Sequence, residues 1–202
     1  MNTTKTKKKQ ILGVRQLTLV GMLSGICIFL GLTRLGFIPL PFMNATIMQI
    51  PVIIGAIVEG PIVGARVGWV FGLFSMYQSF TAPTSVLSIA FMNPIVAIIP
   101  RVLIGIVSYY VYKFIKAKFN KIKLSYGLAS IAGTLTNTIG VLGLVYVFYI
   151  EQYAEANKIT TDAVAGMIGS IILTNGIPEA VISAIIVGPV VTGLMIFYKR
   201  KN

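Results

Sequence analysis

Four residues carry polar chemistry into stretches that are otherwise apolar: Arg101, Asn137, Asn175 and Glu179. Arg101 stands about seven residues into an apolar run that opens near Pro94, roughly 10 Å along a helix rising 1.5 Å per residue. Asn175 and Glu179 are four apart and share one helix face. Asn137 lies near the middle of a third run. Ionisable groups in apolar surroundings turn toward an interior or a wet cavity. A guanidinium suits a carboxylate, which it can hold by two charge-assisted hydrogen bonds. Each carboxamide both donates and accepts, and so suits hydroxyl and amide groups. The four together read as a site for a small polar molecule. The competing reading is structural: Arg101 and Glu179 form a buried bridge, and the asparagines hold helices together.

The residue types that are missing narrow the chemistry further. There is no histidine, so the commonest general base and metal ligand is absent. The single cysteine, Cys27, sits in an apolar run and supports neither a disulfide framework nor a cysteine metal site. No glycine loop with lysine and serine or threonine offers a phosphate cradle, and no HExxH or serine–histidine pair offers a hydrolase. The expectation is a chain with no catalytic residue, no metal and no cofactor of its own.

The elements that must position these groups are transmembrane helices. Of 202 residues, 56% are hydrophobic and 11% charged, against roughly 25% charged in soluble domains. Mean hydropathy is +0.88. Lipid is the solvent that makes this composition reasonable. The net charge of +12 does not indicate nucleic acid, because the basic residues cluster at the ends of apolar runs. Six spans are expected, near 14–33, 46–58, 62–80, 94–113, 124–150 and 165–198. The second is short, and Gly60-Pro61 breaks it from the third. The sixth is long enough to tilt.

With both ends inside, fourteen of the 17 lysines and arginines fall on inner segments: Lys5, Lys7, Lys8, Lys9, Arg15, Arg66, Lys113, Lys116, Lys118, Lys121, Lys123, Lys199, Arg200 and Lys201. Arg34 and Lys158 fall outside, and Arg101 within the fourth span. This asymmetry follows the positive-inside rule and favours an even number of spans. The basic start is followed by a run long enough to span, so it does not read as a cleaved signal. The fold class is therefore an all-α integral membrane protein, a bundle of six transmembrane helices with cytoplasmic N- and C-termini. Residues 1–13 read as a basic tail, 14–198 as one transmembrane domain and 199–202 as a basic end.

Glycine spacing suggests close helix contacts. Gly21 and Gly25, with Ser24 beside them, make a small-residue strip in the first span. Gly60, Gly64, Gly68 and Gly72 make another along the third, whose simplest role is packing within the bundle. In the outer loop 34–49, Pro39 and Pro41 oppose a regular helix, and Phe37 and Phe42 are apolar groups able to cover a ligand. The loop from Thr81 to Asn93 is uncharged. Phe37, Asn93 and Tyr146 join the four deep residues as candidate substrate contacts; Tyr77 also lies toward the outer side, while most other aromatics fit an interfacial belt.

Three runs carry a family resemblance: LGFIPLPFMNATIMQIPVIIGAIVEGPIVGARVGWVFG from Leu35 to Gly72, IPRVLIGIVSYYVYK from Ile99 to Lys113, and TNGIPEAVISAIIVGPVV from Thr174 to Val191. They resemble the S components, the substrate-binding membrane subunits of energy-coupling factor (ECF) vitamin transporters. The sequence is most similar to the pantothenate-type subunits. The resemblance implies high-affinity binding of one vitamin near the outer face of a prokaryotic cell membrane. It implies association with a membrane coupling subunit and two cytoplasmic ATPases, which use the ATP. It also implies that Gly21, Ser24 and Gly25 dock on the coupling subunit, although the family's strip is more often alanine-based. Arg101 would face the pantothenate carboxylate, and Asn137 and Asn175 its hydroxyl and amide groups. Riboflavin, hydroxymethylpyrimidine, pyridoxine and cobalamin stay open as substrates, and a scaffold or channel subunit stays open as another class.

Overall fold

The structure, a computed structural model, describes residues 13–33, 35–38, 45–83 and 87–201. Helix α1 spans Val14–Leu32 and leads to a two-strand antiparallel ladder, β1 (Phe37–Ile38) and β2 (Ala45–Thr46), which pairs Phe37 with Thr46. Then come α2 (Ile50–Glu59), α3 (Pro61–Thr81), α4 (Leu87–Phe91), α5 (Pro94–Phe119) and α6 (Ile122–Asn157). Helix α7 (Thr161–Ile171) runs through a π-helical turn at Ile172–Gly176 into α8 (Ile177–Lys201). Pro39, Pro41 and Phe42 of the first outer loop, Arg34 and the lysines before Gly13 lie outside the described residues.

Local sequence sets the breaks. Gly60 adopts φ 100°, a conformation that suits glycine, and Pro61 opens α3 where no helical N–H is needed. The Asn93 side chain accepts from the Ile95 N–H at 3.0 Å and caps α5, again before a proline. Asn120 closes α5 in the left-handed region, at φ 49°.

Among the described residues, four helical stretches are long and apolar enough to cross a membrane: Val14–Leu32, Pro94–Phe119, Ile122–Glu155 and Thr161–Phe197. Large apolar side chains on their outer faces, such as Phe29, Phe114, Val147, Ile185 and Phe197, are exposed, as a lipid-facing surface requires. The second expected span differs from its reading. Helix α2 has 10 residues, about 15 Å of helix, half the ~30 Å hydrocarbon core. Its residues Ile50–Ile57 are all buried, and it touches α1, α3, α5, α6 and α8. Its apolarity reflects a central position within protein, and Thr46, expected at its start, lies in β2.

The glycines of α3 pack within the bundle. A Cβ on Gly68 would strike the Arg101 carbonyl oxygen, and one on Gly72 would come 2.7 Å from the Ala97 oxygen. Gly64 meets Gly105 in the same seam. The α3 and α5 backbones therefore touch directly, which fixes the height of Arg101.

Candidate functional site

Along α6, Tyr126 and Ala129 belong to one apolar cluster, and Val141, Leu142 and Val145 to another. Between them lie four buried polar residues: Ser130, Thr134, Asn137 and Thr138. The π-helical turn and α8 together present Asn175, Glu179 and Ser183, four apart and all buried. Ser130 and Ser183 share a hydrogen bond of 2.7 Å, and Thr138 donates to Glu179 Oε2 at 3.3 Å. Index rises on α6 as it falls on α8, so the two helices run antiparallel with their polar faces together.

Three further elements close on this ladder. The Thr46 backbone N–H of β2 donates to Glu179 Oε1 at 2.6 Å. From α2, Ile53 lies against Gly133, whose Cβ would sit 3.1 Å from it. Thr46 lies at the level of Thr138 and Ile53 at that of Gly133, so α2 also runs antiparallel to α6. Gln49, one turn before Ile53, then stands level with Thr134 and Asn137. From α5, Ser108 would meet a Cβ on Gly133, while Pro100 lies 3.2 Å from where a Cβ on Gly140 would be. Arg101 is thus about two residues, roughly 3 Å, further out than Asn137, and its side chain reaches outward again to Val96.

Arg101 is 5% exposed. Its Nη1 donates to the Val96 carbonyl at 3.0 Å. Helix α4, inside the uncharged loop from Thr81 to Asn93, supplies Phe91, whose ring centroid lies 4.6 Å from the guanidinium carbon; Phe71 stands on α3 at 5.5 Å. The Arg101 Nε has no hydrogen-bond partner among the described residues. Arg101 and Glu179 act on each other electrostatically but make no ion pair within 4.0 Å; the ion pair among the described residues joins Arg15 to Glu59, at 2.6 Å. A buried bridge between Arg101 and Glu179 is not what the structure contains. Glu179 is held by Thr46 and Thr138 instead.

Arg101, Asn137, Asn175 and Glu179 are thus brought to one interior region. Phe37 is half-buried and reaches it through its strand partner Thr46. Asn93 serves as the α5 cap. Tyr146 is 42% exposed, on a face of α6 away from the buried polar residues. Around Gly21 and Gly25 the space is open, with nothing within 4 Å of an added Cβ, whereas Ser24 between them is buried. A cavity of about 470 Å³ lies elsewhere, between Tyr109, Tyr112, Lys113, Lys116, Ala117 and Asn120 at the basic end of α5.

Sequence reading leaves out Gln49, Thr134, Thr138 and Phe91. Ser130, Thr134 and Thr138 repeat every four residues, a spacing that marks one helix face. Gln49 is the one polar side chain between Ile47 and Val58. It is 0% exposed, and neither polar atom of its carboxamide has a partner among the described residues.

The model of the ECF transporter substrate-specific component matches residues 15–191. The chain belongs to that family. Two similar proteins carry more specific names. One is a pantothenic acid transporter, PanT, of Lactococcus lactis subsp. cremoris, 34% identical over 77% of this chain and 80% of that protein. The other is a pantothenate transporter, PanT, of Leuconostoc mesenteroides subsp. mesenteroides, 31% identical over 77% of this chain and 79% of that protein. An S component is a vitamin-binding multi-pass membrane protein that works with an ECF module. The interior polar ladder is the region of this one whose chemistry suits a small polar ligand.

Proposed function

We propose that this S component binds pantothenate from the outer face of a prokaryotic cell membrane and delivers it inward. Delivery proceeds by association with a membrane coupling subunit and two cytoplasmic ATPases. The chain itself carries out no catalysis and holds no cofactor; ATP is used by the partners. Six crossings are formed by α1, α2 with the segment before it, α3, α5, α6, and α7 with α8. Both termini are cytoplasmic, as the lysines around the α5–α6 junction favour. Residues 14–198 act as one transmembrane domain between a basic tail and a basic end.

The observation that carries the substrate class is Arg101, a buried cation that no carboxylate neutralises within 4.0 Å among the described residues. Its held guanidinium suits the single carboxylate of pantothenate. Asn137, Asn175 and Glu179 then serve the amide and hydroxyls, with Phe37 covering the ligand and Asn93 at the rim, whereas Tyr146, on another face of α6, stays outside the site. Gly21, Ser24 and Gly25 form the surface for the coupling subunit, which the open space around the two glycines supports.

The test is binding of a labelled vitamin panel to the purified chain in detergent, beside Arg101→Ala. Tight pantothenate binding that the variant loses is the expected result. Tight binding of riboflavin, pyridoxine, hydroxymethylpyrimidine or cobalamin instead would move the substrate and leave Arg101 a structural role. No binding across the panel by a folded sample would favour a scaffold or channel subunit.

A further inference from the structure

The assignment of Arg101 to a carboxylate leaves Gln49 unexplained. A buried carboxamide with neither atom hydrogen-bonded is costly, and such groups in native proteins call for a partner. Helix geometry places Gln49 level with Asn137, and the Arg101 guanidinium, drawn outward to the Val96 carbonyl, lies further out than both. The Oδ1 of Asn137 likewise lacks a partner among the described residues. Two carboxamides, one at the cap position of α2 and one on α6, therefore stand inward of a guanidinium.

Pantothenate has groups in a matching order. A two-methylene spacer separates its carboxylate from its amide. The amide carbonyl carries a hydroxyl on the adjacent carbon. A carboxamide pairs with such a hydroxy-carbonyl edge through both of its own atoms. We infer that Gln49 determines specificity for the α-hydroxy amide: Nε2 donates to the substrate carbonyl, and Oε1 accepts from the neighbouring hydroxyl. Asn137 Oδ1 takes the amide N–H from the opposite side. This inference rests on the pantothenate reading and extends it to the residue that opens α2. Helix α2 is thereby a recognition element, short because its first turn must begin at the depth of the ligand.

The test compares two ligands on two proteins by titration calorimetry in detergent. The ligands are pantothenate and its analogue lacking the hydroxyl beside the amide carbonyl; the proteins are wild type and Gln49→Leu. Wild type should bind the deoxy analogue at least about tenfold more weakly, and Gln49→Leu should lose at least about tenfold for pantothenate. For the deoxy analogue the variant should lose no more than about threefold, because part of the interaction is already gone. Equal losses for both ligands, or equal binding of both by wild type, would overturn the role of Gln49 while leaving pantothenate as substrate. Absence of pantothenate binding by folded wild type would overturn both readings. Gln49→Met, which keeps the length without polar atoms, replaces the leucine variant if that one does not fold.

Discussion

The Arg101 guanidinium donates to the Val96 carbonyl at 3.0 Å, and that carbonyl is the acceptor Pro100 leaves without its helical donor. Proline has no N–H, so the carbonyl four residues earlier is freed. In a membrane helix such a group must be satisfied from within the protein. Here the next side chain does it, and the result is a cation fixed at one height and one angle. A helix defect thereby becomes a positioning device.

Pro100→Ala tests that coupling. The N–H of the introduced alanine takes the Val96 carbonyl, and Arg101 loses its anchor. The thermal midpoint should be no lower than wild type, since a helix-interior proline is relieved. Pantothenate affinity should fall by about fivefold, roughly 1 kcal/mol. Unchanged affinity in a folded Pro100→Ala sample would mean that the anchor is not needed.

Arg101 itself should tolerate no replacement. Arg101→Ala removes a charge-assisted contact, for which a loss of at least about tenfold, ~1.5 kcal/mol or more, is expected. Arg101→Lys keeps the charge but not the planar fork that lies over Phe91 and reaches Val96, and should recover less than half of that energy. Parallel titrations of the three proteins decide it; full recovery by lysine would show that only net charge matters.

Arg101, Asn137, Asn175 and Glu179 are legible in sequence because a charge or carboxamide inside an apolar run is costly unless it has a task there. Gln49 is harder to see, since it borders a loop where polar residues are ordinary. The extent of α2 is illegible for a related reason: hydropathy reports burial but does not distinguish lipid from a protein interior, and residues 46–58 are apolar for the second reason. The π turn at Ile172–Gly176, which brings Asn175 inward, has no mark in the sequence ILTNG. Nor does residue type reveal that Glu179 is held by a backbone N–H 133 residues away instead of by Arg101.

That Thr46–Glu179 contact gives a second stability prediction. Glu179 ties the strand pair to α8 and accepts from Thr138 as well. Glu179→Ala leaves the Thr46 N–H and the Thr138 hydroxyl without that acceptor, and should cost about 1–3 kcal/mol in unfolding free energy. Glu179→Gln keeps a carbonyl acceptor and should lose less than about half as much. Hydrogen exchange should quicken at Thr46 in the alanine variant and stay slow in the glutamine variant. Equal exchange in both would mean that the carboxylate does not hold the strand.

Topology is testable with two single cysteines. Lys118 and Glu155 are exposed near opposite ends of the bundle, the first beside the α5–α6 junction and the second near the end of α6. The native Cys27 is buried and hydrogen-bonded to the Met48 carbonyl, so it should not react with an impermeant maleimide. In whole cells, Glu155→Cys should label and Lys118→Cys should label only after lysis. The opposite pattern would invert the proposed orientation of both termini.

The two glycine strips should separate by function. Gly68 lies where α3 meets the Arg101 backbone, and a methyl group there would strike the carbonyl oxygen. Backbone cannot yield as a flexible side chain can, so α3 must move away. Gly68→Ala should destabilise the chain by about 1–3 kcal/mol. It should also weaken pantothenate binding, because the contact it disturbs is with the backbone of Arg101 itself. Gly21 and Gly25 face open space, so a larger side chain meets nothing inside the protein. Gly21→Leu with Gly25→Leu should leave the thermal midpoint and the ligand affinity of the isolated chain within error of wild type. If this strip is the face on which the coupling subunit packs, the same double variant should fail to co-purify with that subunit and should not support uptake in reconstituted vesicles. Normal co-purification would place the coupling interface on another surface of the bundle. A loss of ligand binding in the isolated double variant would show that the strip supports the site instead.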